Sequence, residues 1–431
     1  MNNVLARVKL SISSSPIRRN IGMTLIRQLL AAFAQFMLVV LIARELGPEG
    51  NGFYAMAILL PTLLATFLNL GVGPATVYFV SRGELSVRHA LAGNLNIALV
   101  ISVVGIGAGL VTIAFWRESI FPGVPKALLY LGLISFPLTL LVAYVNTILQ
   151  GLENFKAFNL TVLIPPYVNL FGVIITIYLL DFGVVGAMVA YIAGQLAGLT
   201  LVLTLLRNDS SKFDNQRFEK LSLGSYSRKT LSYGWKAHLS NILSFVNYRA
   251  DIFLVNLFLT PTSTGLYVIA VQIAEKLWML SQAASTVLLP RLSAMHKAPE
   301  ARLALTNRGF WFVAGVTTMV GIMAAGALYW LISPLFGHEF QESWPVFIWL
   351  LPGIIAGAGE RIQSNCIAAA GKPEWNMYAA LVVVSINIVG NLALIPDYGM
   401  IGAASATSLA YAISAALKFW LIRKTLNIAS T

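Results

Sequence analysis

Residues 181–187 read DFGVVGA and residues 397–403 read DYGMIGA, and each is followed by an apolar run that ends in LLR (205–207) or LIR (421–423). Setting Asp181 on Asp397 also sets Gly183 on Gly399, Gly186 on Gly402, Ala187 on Ala403 and Arg207 on Arg423. A second pair repeats independently: LGPEGNGFYAMA (46–57) against LTPTSTGLYVIA (259–270) aligns Pro48 with Pro261, Gly52 with Gly265 and Tyr54 with Tyr267. A weaker third pair sets ILQGLENF (148–155) against AAAGKPEW (368–375). The order is the same in both halves, so the chain is an internal duplication. In the first pair the aspartate belongs at a water boundary. The leading glycine permits chain reversal, and the second glycine, just inside the next helix, permits close helix packing. These motifs are hairpins, and the chemistry has to lie elsewhere.

What is duplicated is a set of membrane spans. Of 431 residues, 58% are hydrophobic and only 11% charged, and the mean hydropathy is +0.77. Apolar runs of about 20 residues, enough to cross a hydrocarbon core of about 30 Å, recur throughout. We place about twelve spans, near 21–43, 52–80, 90–116, 127–150, 158–180, 184–206, 230–259, 265–289, 304–332, 344–370, 376–395 and 400–422. The first follows Arg18 and Arg19 but is longer than the apolar core of a secretory signal, so it reads as a retained helix. The polar stretch between the sixth and seventh spans reads as a linker, 208–229, joining a lobe at 1–207 to one at 230–431. Each lobe has an even number of spans, so the two enter the membrane in the same direction, as parallel repeats. Architectures of this kind are used by secondary transporters, with a site near the midplane.

The net charge of +12 is a topology signal. Of 29 Lys and Arg, only Arg44, Arg117 and Lys126 fall in loops after odd-numbered spans, which places both termini in the cytoplasm. A nucleic-acid partner is not expected. The lone cysteine, Cys366, allows no internal disulfide.

A charge at the bilayer centre costs about 2.5–3.5 kcal/mol on insertion scales, so charges inside spans mark cavities or partners. Arg27 shares a helix face with Ala31, Ala34 and Gln35. The second span carries a stripe of Thr62, Thr66, Asn69, Gly73 and Thr76, expected to be continuous. The seventh carries Ser240, Ser244, Asn247 and Asp251, with Arg249 about 200° around the helix from Asp251. The eighth holds Gln272, Glu275, Lys276 and Gln282, and the tenth Glu360, Arg361, Gln363 and Ser364. The cations Arg27, Arg249, Lys276 and Arg361 suit a phosphate-bearing head group through charge-assisted hydrogen bonds. Asp251, Glu275 and Glu360 suit a proton or Na⁺, or balance those cations. His89, His238, His296 and His338 show no metal spacing, and there is no Walker A loop, HExxH or nucleophile elbow. No catalytic residue, metal or cofactor is expected.

The stretch NIGMTLIRQLLAAFAQFMLVVLIARELGPEGNGFYAMA (20–57), the turn LGVGP (70–74), the aspartate in YRADIFLVNLFLTPTSTGLYVIA (248–270) and the DYGMIGA turn together resemble one known family. It is the polysaccharide-transporter branch of the multidrug, oligosaccharidyl-lipid and polysaccharide exporter superfamily. The resemblance implies a V-shaped pair of six-helix lobes around a central cavity, in a bacterial cytoplasmic membrane, working by alternating access. It implies movement of an undecaprenyl-diphosphate-linked oligosaccharide from the cytoplasmic to the outer leaflet for O-antigen, capsule or exopolysaccharide assembly. It also implies that membrane lipid and polysaccharide polymerase machinery are partners, and Arg27 matches the family's first-helix cation. The competing reading is a cation-coupled multidrug exporter of the same superfamily, whose cavity would be dominated by acids. A membrane polymerase or acyltransferase would need a large outer loop, and every outer loop here is short.

Overall fold

A computed structural model describes residues 15–213, 223–295 and 298–426. Residues 214–222 of the expected linker, and His296, lie outside the described residues. All regular secondary structure in the described residues is helical. Eight described stretches are long and apolar enough to cross a membrane. Two of them, Leu29–Leu68 and Glu374–Lys424, are broken by a glycine: Gly47 at φ 65° and Gly399 at φ 58°. The chain is thus an all-helical multi-pass membrane protein. Large apolar side chains such as Phe115, Trp311, Phe312 and Trp330 stand exposed on its helices, where a lipid environment accommodates them.

The duplication recurs in the backbone. Gly183 and Gly399, aligned in sequence, both hold positive φ, 55° and 58°. Their followers pack alike: an added Cβ would lie 2.9 Å from the carbonyl oxygen of Thr176 at Gly186, and 2.2 Å from that of Leu394 at Gly402. Each second glycine therefore seats its helix on the backbone of the preceding one.

Two expected spans are each divided. The second ends at Leu68 and resumes as Val72–Ser81, because Leu70 and Gly71 take φ of 53° and 70°. The polar stripe through Asn69, Gly73 and Thr76 is therefore not continuous. The break frees the Asn69 carbonyl, which accepts from Tyr144 Oη at 2.6 Å. The eighth span divides at Leu277 into Pro261–Lys276 and Trp278–Ala294.

The described chain forms two compact units that are not uninterrupted halves. One contains the residues up to Glu45, Ala57–Phe115 and Pro125–His238; the other contains Leu46–Met56, Trp116–Val124 and Leu239 onward. In the first, Phe136, Leu140, Tyr144 and Ile148 of the helix Lys126–Gly151 are fully buried. Beside them Asn94, also fully buried, accepts from Thr76 (3.1 Å) and Tyr226 (2.7 Å) and donates to the Tyr144 carbonyl (3.0 Å). Its amide is thereby supplied with partners in a place where water is excluded.

In the second unit the two copies of the LGPEGNG-type turn touch. A Cβ on Gly52 would lie 1.9 Å from the Pro261 carbonyl oxygen, and one on Gly265 1.9 Å from that of Pro48. Asn51 Nδ2 donates to the Gly265 carbonyl at 3.0 Å. Glycine is required here because backbone occupies the space of a side chain.

Candidate functional site

Four helical segments of the second unit enclose a cavity of about 270 Å³. The helix Leu223–Phe258 brings Ser244, Asn247 and Tyr248 to it; the divided eighth span brings Trp278; Ser343–Ala369 brings Glu360, Arg361 and Ser364; and Pro373–Thr425 brings Tyr411 and Lys418. Its aromatic side is continuous, with ring centroids 5.4 Å apart for both Tyr248–Trp278 and Trp278–Tyr411. Gly357 makes room for this: a Cβ there would meet Tyr411 at 3.3 Å and Trp278 at 3.5 Å. Trp278 is buried, and its indole N–H reaches the Ile354 carbonyl at 3.2 Å. Asn247 Nδ2 donates to Tyr411 Oη at 3.1 Å, while its Oδ1 is shielded from solvent without a partner among the described residues.

The charges around this cavity are sorted by geometry. Lys418, 6% exposed, pairs with Glu360 and also donates to Ser364 Oγ at 2.8 Å. Arg249 pairs with Glu275 at 2.9 Å. Arg361 lines the cavity and has no hydrogen-bond or ion-pair partner among the described residues. Two neighbouring opposite charges cancel, so the cavity itself carries one uncompensated guanidinium.

A second, much smaller space of about 20 Å³ shares Asn247, Tyr248, Trp278 and Tyr411 with the first and adds Asp251, Glu275 and Thr407. Asp251 is buried and accepts from Tyr267 Oη (2.8 Å) and from the Ile252 N–H (2.8 Å), with Thr407 Oγ1 at 3.5 Å. Thr407 in turn accepts from Asn387 Nδ2 at 3.1 Å, and Asn391 Nδ2 donates to the Asn387 carbonyl at 2.7 Å. No cation pairs with Asp251 among the described residues. Neither do three His, Cys, Asp or Glu side chains converge there.

A family model described as "Polysaccharide biosynthesis protein" matches residues 17–296. The chain belongs to that family. The chain is 23% identical over 404 residues to the "Putative O-antigen transporter" of Shigella flexneri, a match covering 90% of this chain and 93% of that protein. It is 25% identical over 228 residues to the "Probable low-salt glycan biosynthesis flippase Agl15" of Haloferax volcanii, covering 51% of this chain and 44% of that one. Its fold is similar to a solved structure of "Lipid II flippase MurJ, inward closed conformation", with a TM-score of 0.77 at 16% identity, covering 94% of this chain and 89% of that one.

Of the charges singled out in sequence, Asp251, Glu275, Glu360 and Arg361 line the two spaces of the second unit, and Arg249 lines neither but pairs with Glu275. Lys276 is exposed at the end of its helix and lines neither. Arg27 belongs to the first unit, half-buried, with no hydrogen-bond or ion-pair partner among the described residues. Sequence reasoning passed over Lys418, Tyr411 and Trp278. Lys418 carried a usable signal, a lysine inside the last apolar run. The two aromatics carried none, since an aromatic in a span is ordinary lipid-facing or packing material.

Proposed function

We propose that this protein is a flippase for a lipid-diphosphate-linked oligosaccharide. On this reading it carries an undecaprenyl-diphosphate-linked glycan from the cytoplasmic to the outer leaflet of the cytoplasmic membrane by alternating access, with both termini cytoplasmic and the polymerase machinery acting on the product. The observation that carries the reading is Arg361, an unpaired guanidinium in a cavity whose other charges are paired. Holding an uncompensated cation inside a membrane protein is costly, and a phosphate oxygen removes that cost through a charge-assisted hydrogen bond. Arg27 is a separate phosphate contact on the first unit, Arg249 is balanced by Glu275, and Lys276 has at most a surface role. Asp251, set among hydroxyl and amide groups without a cation, is the group that exchanges a proton or Na⁺ to drive the cycle. Glu275 and Glu360 balance charge.

The test is reconstitution into vesicles, following a fluorescent undecaprenyl-diphosphate-linked oligosaccharide from one leaflet to the other alongside efflux of a cationic dye. The expected outcome is lipid translocation that falls at least tenfold in Arg361→Gln. Dye efflux without lipid translocation would show a multidrug exporter instead.

A further inference from the structure

The same cavity carries a feature that phosphate binding leaves unexplained. Asn247 has one end of its side-chain amide bonded to Tyr411 Oη, while Oδ1 lies shielded from solvent with no partner among the described residues. A buried acceptor left unpaired is a standing cost, and a hydrogen-bond donor on a ligand removes it. Next to it lies the half-buried ring of Tyr248, backed by Trp278 and Tyr411. An aromatic wall of this kind takes the C–H face of a flat, amphipathic ring and leaves the ring's polar edge free to bond. The same cavity is also lined by the Lys418–Glu360 pair and Ser364, which offer both donors and acceptors.

The volume selects among ligands with these properties. At about 270 Å³ the cavity falls just under the roughly 300–1,000 Å³ of sites that enclose drug-sized molecules. It therefore has room for one ring with its phosphate, and because the cavity is partly open the rest of a longer glycan would lie outside it. A polyprenyl chain is a poor occupant, because it would desolvate the charges of Glu360, Arg361 and Lys418 and return no hydrogen bond.

We infer that this cavity is a sugar-phosphate subsite. In it Arg361 holds the phosphate, Tyr248 stacks on the attached sugar ring, and Asn247 Oδ1 accepts from one hydroxyl or acetamido N–H of that sugar. The inference rests on the flippase reading and adds to it a specificity-determining residue. Asn247 makes the protein sensitive to the sugar joined to the phosphate, whatever follows it. Sites that hydrogen-bond a substrate group discriminate strongly against analogues lacking it, because the site's own polar atom is then left unpaired.

The experiment is a binding titration of the detergent-purified full chain, followed by calorimetry and tryptophan fluorescence. Its three probes are an N-acetylhexosamine 1-phosphate, a short isoprenyl monophosphate and inorganic phosphate. The sugar phosphate is expected to bind at least tenfold more tightly than either of the others. Asn247→Leu should abolish that preference while leaving phosphate binding intact, and Arg361→Gln should weaken all three probes. Should Asn247→Leu fail to insert, Asn247→Thr, which shortens the reach of the side chain, is expected to show the same loss of preference. Equal binding of the sugar and isoprenyl phosphates would overturn the subsite, and so would a preference that survives at position 247. If no probe binds but vesicles still translocate the lipid-linked oligosaccharide, the subsite fails and the flippase reading stands. If the preference appears but vesicles export only dye, the subsite stands and the flippase reading fails.

Discussion

Lys418 and Glu360 show what a buried charge pair does at the scale of single residues. Both are mostly shielded, at 6% and 16% exposure, and each depends on the other for its solvation. Lys418→Met leaves Glu360 buried and alone, and removing one partner of such a pair costs about 3–5 kcal/mol. The double change Lys418→Met, Glu360→Gln should recover most of that loss. Thermal unfolding of the three variants in one detergent would check it, and additive losses would show that the pair is not coupled. Asp251→Asn has a different expected signature. The amide can keep the hydrogen bond from Tyr267 but carries no charge, so folding should be near normal while translocation loses its dependence on the ion gradient. Retention of full gradient dependence would remove Asp251 from the coupling step. At this scale the sequence showed which residues were expensive, since any charge inside an apolar run is visible. It did not show which of them pair. That is why Arg249 and Arg361 looked alike, although one is matched by Glu275 and the other is not.

Among the elements, glycine positions separate the crossings that set the architecture from those that do not. Gly52→Ala and Gly265→Ala each place a methyl group 1.9 Å from a backbone carbonyl oxygen, so each should lower thermal stability markedly. Gly326→Ala, with nothing within 4 Å of the added group, is the control and should leave the melting temperature within a degree or two or raise it slightly. The start of the helix Leu223–Phe258, as far as His238, belongs to the first unit and is held within it in a similar way. A Cβ on Gly234 would lie 2.3 Å from the Gly71 carbonyl oxygen, and Lys229 reaches Glu84 at 2.8 Å. The Lys229 hydrogen bond holds the Glu84 carboxyl below its ordinary range. A depressed carboxylate pKa means that the folded form binds its proton less readily than the unfolded one. The contribution is therefore complete above the ordinary carboxylate range and is lost as pH falls through the depressed value. Since the pair is solvent-accessible, Lys229→Ala should scarcely change stability at neutral pH, and it should flatten any loss of stability on acidification. Element existence was readable from the apolar runs. The breaks at Leu70–Gly71 and Leu277 were not, because apolar runs flank both closely enough to read as single spans. The LGVGP turn was recognisable only as a motif.

For the whole molecule, the prediction is one of transport. Arg27→Ala and Asp251→Asn should each reduce export of the lipid-linked glycan while the protein still inserts in the membrane, as read by translocation in vesicles and by surface labelling of the inserted chain. Normal export in both would place the mechanism elsewhere. At this level the sequence was most informative, because the order of its repeated turns reads as a duplication, and the aligned Gly183 and Gly399 share a positive φ. Its limit was the boundary between units. Leu46–Met56 and Trp116–Val124 come from the first half of the chain but belong to the second unit, an exchange that linear segmentation has no means of showing.

The crossing of the two repeated turns has the form of an isologous interface. Position 52 meets the carbonyl of position 261, and its counterpart 265 meets the carbonyl of 48, so i touches j and j touches i as in a twofold homodimer. A contact of the kind two identical copies make is here fixed within one polypeptide. Its two sides are therefore one physical quantity. Once a methyl group at position 52 has forced the backbones apart, a second at position 265 finds the space already open. The double alanine variant should cost clearly less than the sum of the singles, a non-additivity measured by a double-mutant cycle. The duplicated halves are then free to diverge in their charges, but at this crossing they can change only together.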